Sequence, residues 1–175
     1  MIKDFFKRAD ARYMIGTSIF FLGILIFAGS LIMFALGIAP AMFSVLPTKD
    51  LAGMANQAVL KRMTFIQAGG LLFMAGGLFT LQRWANQTVQ KSMWFVLGLI
   101  VVLFVLYAIV IQQTMFGISA GIPTFDNTPK AFEHALEQFR SLHRLYSFLA
   151  SFATLLSFAA MILHIYAVRY IRDEQ

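Results

Sequence analysis

Three histidines, ten methionines and no cysteine set the chemistry open to this 175-residue chain. His143, Ala150, Ser157 and His164 are spaced by seven, which puts both histidines on one face of a helix. At 1.5 Å per residue the two rings stand about 31 Å apart and cannot share a metal ion. His134, the third histidine, falls on the same helix. A bis-histidine haem held between two helices is therefore not available within one chain. Haem or copper ligation by His143, with Met54 or Lys61 as co-ligand, is the metal alternative. The methionines point elsewhere. Met42, Met54 and Met63 gather toward one end, but no MxM or MxxM occurs, and Met54 and Met63 fall on opposite helix faces. Thioether side chains so placed are flexible filler. The lack of cysteine removes disulfides, thiolate metal sites and thiol nucleophiles.

The charged residues are more informative. Lys61 and Arg62 stand at the edge of one apolar run, and Arg144 stands beside His143 at the edge of another. A cation there either snorkels to the interface or faces a polar cavity. No Ser/His/Asp triad assembles, paired carboxylates are missing from the apolar runs, and there is no Walker or dinucleotide-binding fingerprint. The reading is non-enzymatic, with no resident cofactor. The net charge of +6 is scattered beside apolar runs rather than gathered in a stripe, which speaks against nucleic acid.

The elements that must hold these residues are four apolar runs, at about 13–38, 63–81, 93–116 and 145–167. Each approaches the roughly 20 residues that cross a bilayer as a helix. Lipid offers no partner to backbone N–H and C=O groups, so each span must be helical. With 59% hydrophobic residues and no low-complexity linker, residues 1–175 read as a single integral membrane domain. The fold class is an all-α, multi-pass membrane protein, a four-helix transmembrane bundle in contact with the lipid bilayer. The basic N-terminal stretch runs into too long an apolar segment for a signal peptide.

Two connections fall at one end, at 39–48 and 121–129. Thr48 is the expected N-cap of the second helix, with Asp50 suited to its first turn. Thr128 and Pro129 read as N-cap and N1 of the fourth. Helices two and four are expected over about 48–83 and 128–169, extending beyond the bilayer on the non-cytoplasmic side. Glu137 is placed to pair with Arg140. Lys3, Lys7, Arg8, Arg12, Arg83, Lys91, Arg169 and Arg172 fall on the terminal side, against Lys49, Lys61, Arg62, Lys130, Arg140 and Arg144 on the other, eight to six. The positive-inside rule then puts both termini in the cytoplasm, in a bacterial inner membrane. Gly16, Gly23, Ser30 and Gly37 recur every seven residues in the first span, and Gly70 and Gly77 (or Gly69 and Gly76) in the second. Small residues in register let two helices approach closely in lipid, so spans one and two are expected to pair tightly.

Pro40, Phe43, Pro47 and the following Ala52-Gly53 resemble the first connection of the transmembrane-protein-205-like family, a domain of unknown function. Phe139, Leu142, His143 and Ser147 resemble that family's Phe-x-x-Leu-His-x-x-x-Ser pattern leading into the last span; where the family usually has Asn, this chain has Ser151. The resemblance implies a four-span bundle of unassigned biochemistry. More remotely the architecture is similar to the copper-resistance protein D and HemJ-type protoporphyrinogen oxidase families, which implies metal or haem handling. The resulting expectation is a binding or interaction protein with a pocket at the non-cytoplasmic ends of helices two and four. Its site residues are Pro40, Phe43, Pro47, Lys61, Arg62, His143, Arg144 and Ser147, and its occupant is an anionic group, a lipid headgroup, a membrane protein partner or a second copy of the chain.

Overall fold

The computed structural model describes residues 8–81 and 87–173. Lys3, Lys7 and Arg83, which entered the orientation argument, lie outside the described residues. Four helical rods are present, each long and apolar enough to cross a membrane, and no strand occurs among the described residues. Rod α1 runs Arg8–Met33, widens into a π turn at Phe34–Ile38 and continues as Ala39–Val45. Rod α2 is Lys49–Leu81. Rod α3 runs Gln87–Phe104, passes a second π turn at Val105–Ile111 and ends as Gln112–Ala120. Rod α4 starts with a 3-10 turn at Lys130–Phe132 and proceeds through Glu133–Asp173.

The first connection is shorter than the sequence suggested. The prolines suggest a connection from residue 39 onward, but the helix persists to Val45 and only Leu46, Pro47 and Thr48 turn the chain. Pro40 explains both the continuity and the π turn. It sits at the start of the Ala39–Val45 segment, where a missing N–H is tolerated. Its ring would collide with the carbonyl four residues back, so the preceding turn opens. The Ala39 N–H then reaches the Phe34 carbonyl, five residues back. Thr48 caps α2 as expected, its hydroxyl accepting from the Leu51 N–H at 3.2 Å. Thr128 does not cap α4. Its hydroxyl instead donates to the Thr124 carbonyl at 2.9 Å, folding the second connection on itself. Asp50 stands in the first turn of α2 as expected and has a second part. Its carboxylate accepts from the Thr124 hydroxyl and the Phe125 N–H, both at 2.6 Å, and so ties the start of α2 to the second connection.

Rods α1 and α2 form the closest pair, and the glycines are the reason. A Cβ added at Gly23 would stand 2.5 Å from the Met74 nitrogen, and one at Gly77 would stand 2.6 Å from the Phe20 nitrogen. Gly70 meets Phe27 and the Gly23 carbonyl, and Gly16 meets Thr80 and Leu81. Gly37, Gly69 and Gly76 face open space, so the second register of glycines in α2 is not the interface. Backbones this close gain dispersion contacts, which is what holds helices together where lipid removes the hydrophobic drive. The interior is filled by Phe20, Ile24, Phe27, Met74, Leu78, Ile100 and Tyr107. Large apolar side chains also point outward, among them Phe65, Leu72 and Phe79 at seven-residue spacing along α2. Such a stripe suits lipid contact.

Candidate functional site

Between α1 and α4, toward the end where the two connections meet, lies a cleft of about 830 Å³. That volume falls within the roughly 300–1,000 Å³ of small-molecule sites. One wall is the π turn of α1 with its flanks, from Leu31 to Phe43. The opposite wall is α4, from Leu136 to Leu155, a stretch of about 29 Å at the helical rise. The cleft is thus long, and most of its lining is apolar. Its floor is formed by α2 and α3, through Asn56, Gln57, Leu60, Gln112, Met115 and Phe116. Lys49 and Arg140 bring positive charge to the lining, and Phe125 is set there by its backbone bond to Asp50.

At the floor and behind it runs a ladder of buried and half-buried polar groups. The Tyr107 hydroxyl donates to the Gln67 amide oxygen at 2.9 Å. Gln112 Nε2 donates to the Thr64 hydroxyl at 3.3 Å. Gln57 Nε2 donates to the Ser119 hydroxyl at 2.9 Å. The π turn in α3 makes this ladder, because the wider turn brings Tyr107 and Gln112 to one side although they are five residues apart. Tyr107 in turn meets Tyr146 edge to face, with centroids 5.4 Å apart, and joins α4 to the ladder. Burying an amide without a partner is costly, so such groups pair across helices. Two oxygens are exceptions: Gln112 Oε1 and Asn56 Oδ1 are buried and accept no hydrogen bond among the described residues.

The expected site residues divide. Phe43, His143 and Ser147 line the cleft; Pro40, Pro47, Lys61, Arg62 and Arg144 do not. Pro40 and Pro47 act on the α1 backbone and the turn, and their rings are exposed. Lys61 is exposed and outside the lining, with its ammonium 5.3 Å above the ring of Phe116. Arg62 and Arg144 are exposed too. The cations of the cleft are instead Lys49 and Arg140, and Arg140 forms no ion pair with Glu137 among the described residues. The ring of His143 is not bonded to the first connection among the described residues. It stacks instead on Phe139, with centroids 6.3 Å apart and planes 8° apart. Among the described residues no hydrogen bond joins it to residues 39–62. The Ser147 hydroxyl turns back to the His143 carbonyl at 2.9 Å. Met54 is two-thirds exposed and outside the cleft, so His143 and Met54 are not brought together there. No group of three or more His, Asp or Glu side chains gathers as a metal-ligand set among the described residues.

The other histidine of the seven-residue series is the better connected. His164 is 3% exposed, and its Nε2 lies 3.1 Å from the Thr17 hydroxyl. The rings of Tyr13, Phe20 and Phe21 surround it, with centroids 6.3, 5.3 and 5.3 Å away. It joins α4 to α1 at the end opposite the cleft.

Comparison of the chain with family models, curated proteins and solved structures gives no match.

Proposed function

We propose that this protein is a non-enzymatic binding protein of the membrane that takes an amphipathic, chain-bearing small molecule into the cleft between α1 and α4. The observation that carries this reading is the cleft itself: about 830 Å³, long, largely apolar, and flanked by Lys49 and Arg140. An apolar chain lies along Leu31, Phe34, Ala150 and Leu155, and a polar or anionic head meets the two cations. Phe43, His143 and Ser147 take the contacting part expected of them. Membership of the transmembrane-protein-205-like family belongs to the same reading, supported by the Pro40, Phe43, Pro47 and Phe139, Leu142, His143, Ser147 patterns. So does the placement: a bacterial inner membrane, termini in the cytoplasm, and the cleft toward the non-cytoplasmic side, supported by the eight-to-six distribution of Lys and Arg.

Gly53 provides the test. It lines the cleft, and an added Cβ meets no atom within 4 Å. Gly53→Trp therefore adds an indole to the lining of the cleft at a position where a Cβ has room. The purified wild-type protein should carry an extractable amphiphile that Gly53→Trp lacks while keeping its detergent melting temperature. The same lipid content in both proteins would refute the reading.

A further inference from the structure

The height of the cleft relative to the bilayer sets where its occupant must stand. Lys61 and Arg62 on α2 and Arg144 on α4 are exposed, at the edges of the apolar runs. Cations so placed lie level with the lipid headgroups. From Arg62 to Leu81 the α2 helix is about 28 Å long, which alone matches the roughly 30 Å hydrocarbon core. Yet α2 has 33 residues. Its surplus turns carry it from Lys61 to Lys49, about 18 Å further. The level of Arg144 also cuts the α4 wall of the cleft: Leu136 is about 12 Å to one side and Leu155 about 16 Å to the other.

The cleft therefore begins among the apolar runs and continues past the cations. Within the runs, Leu36 and Leu155 line it and are 79% and 65% exposed, so that side is open to lipid. Past the cations the lining stays apolar. Gly53 and Leu60 on α2, Leu136 and Phe139 on α4, and Phe125 from the second connection all belong to it. The rings of Phe125 and Phe139 meet there at 5.2 Å. An apolar trough beyond the headgroups is costly in water unless something apolar fills it.

We propose that the protein lifts a lipid of the surrounding bilayer part of the way out of it. One chain enters sideways past Leu36 and Leu155 and rises along Phe139 and Leu136. Its head, an anionic one, comes to Lys49 and Arg140 on the aqueous side of the headgroup layer. Because the cleft is open at the side, a second chain need not fit inside it. The inference rests on the amphiphile-binding reading and adds a function to it: the lipid leaves for water more easily, since part of its chain is already out of the bilayer.

The probe is phosphatidylglycerol with a diazirine on the first carbons of one chain, next to the head. The full-length protein is reconstituted with a little of it in phosphatidylcholine vesicles, illuminated, and the labelled peptides are sequenced. Label at Gly53, Phe125 or residues 136–139 is expected. Label confined to lining within the apolar runs, such as Phe34 and Ala150, overturns the lifting and leaves the amphiphile reading standing. No label anywhere in the lining overturns both. Transfer supplies the functional readout. Pyrene-labelled phosphatidylglycerol should pass to acceptor vesicles at least roughly tenfold faster than from protein-free vesicles, the equivalent of about two CH₂ groups already out of lipid. Leu136→Asp puts a charge on the apolar path and should return the rate to the protein-free value. Gln138→Asp, on α4 outside the lining, should not. Equal acceleration of labelled phosphatidylcholine would overturn the anionic head. Transfer that the wild type does not speed, or that Leu136→Asp leaves as fast, overturns the lifting.

Discussion

His164 and Thr17 are 147 residues apart in sequence, and their side chains meet at 3.1 Å inside a cage of three aromatic rings. The contact closes the bundle at one end, while α1 and α4 flank the cleft at the other. Thr17→Val removes the partner of a buried imidazole and should cost about 1–3 kcal/mol. In a double-mutant cycle with His164→Phe, the two changes should be coupled, by an amount near the 0.6 kcal/mol (up to about 1.7) measured for bonds between membrane helices. Strictly additive melting shifts would show that the contact carries no stability.

The glycine register makes a sharper packing prediction. The two nearest atoms that a Cβ at Gly23 would strike, the Met74 nitrogen and the Gly70 carbonyl oxygen, belong to the backbone and cannot swing aside. Gly23→Ala should therefore push α1 from α2 and destabilise by roughly 1–3 kcal/mol. Gly76→Ala, which meets nothing, should be neutral or slightly stabilising, as alanine suits a helix better than glycine. Equal effects in detergent melting would remove the glycine interface.

Asp50 should govern the second connection. Asp50→Ala deletes the acceptor of both the Thr124 hydroxyl and the Phe125 N–H. Hydrogen exchange at the Phe125 amide should quicken, and release of a bound amphiphile should speed up with it, because Phe125 lines the cleft. Unchanged exchange at Phe125 would show that the carboxylate does not hold that segment.

Topology can be tested without background, since the chain has no cysteine. Cysteines placed singly at Asn127 and Lys91 should label from opposite faces of the membrane, with Lys91 on the cytoplasmic face. Labelling of both from one face would contradict the bundle's crossing, and the reverse pattern would contradict the orientation alone.

The four rods were legible because an uninterrupted apolar run long enough for a bilayer has one structural solution. The α1–α2 pairing was legible from Gly16, Gly23, Gly70 and Gly77, because small residues at seven-residue spacing have few other uses. The site was less so. Pro40 reads as loop, since a proline breaks an ordinary α-helix, but a widened turn absorbs it. His143 drew attention over His164 by its position beside Arg144, whereas burial depends on which neighbours arrive from α1. Lys49, Arg140 and Tyr146 were not singled out for the site, because only the folded chain brings them to one cleft. Asn56, Gln57 and Gln112 were missed although a signal existed: amides beside or within apolar runs are costly in lipid and so mark a polar contact.

The central claim, that the cleft takes a chain-bearing amphiphile, is tested most directly by photocrosslinking in membranes. A palmitic acid analogue with a diazirine in its chain is added to membranes holding the wild type or Gly53→Trp, illuminated, and the labelled peptides are sequenced. Label concentrated on the cleft-lining residues of 31–43 and 147–155, and lost from them in Gly53→Trp, is the predicted result. Label spread over outward residues such as Phe65, Leu72 and Phe79, and unchanged by Gly53→Trp, would contradict it.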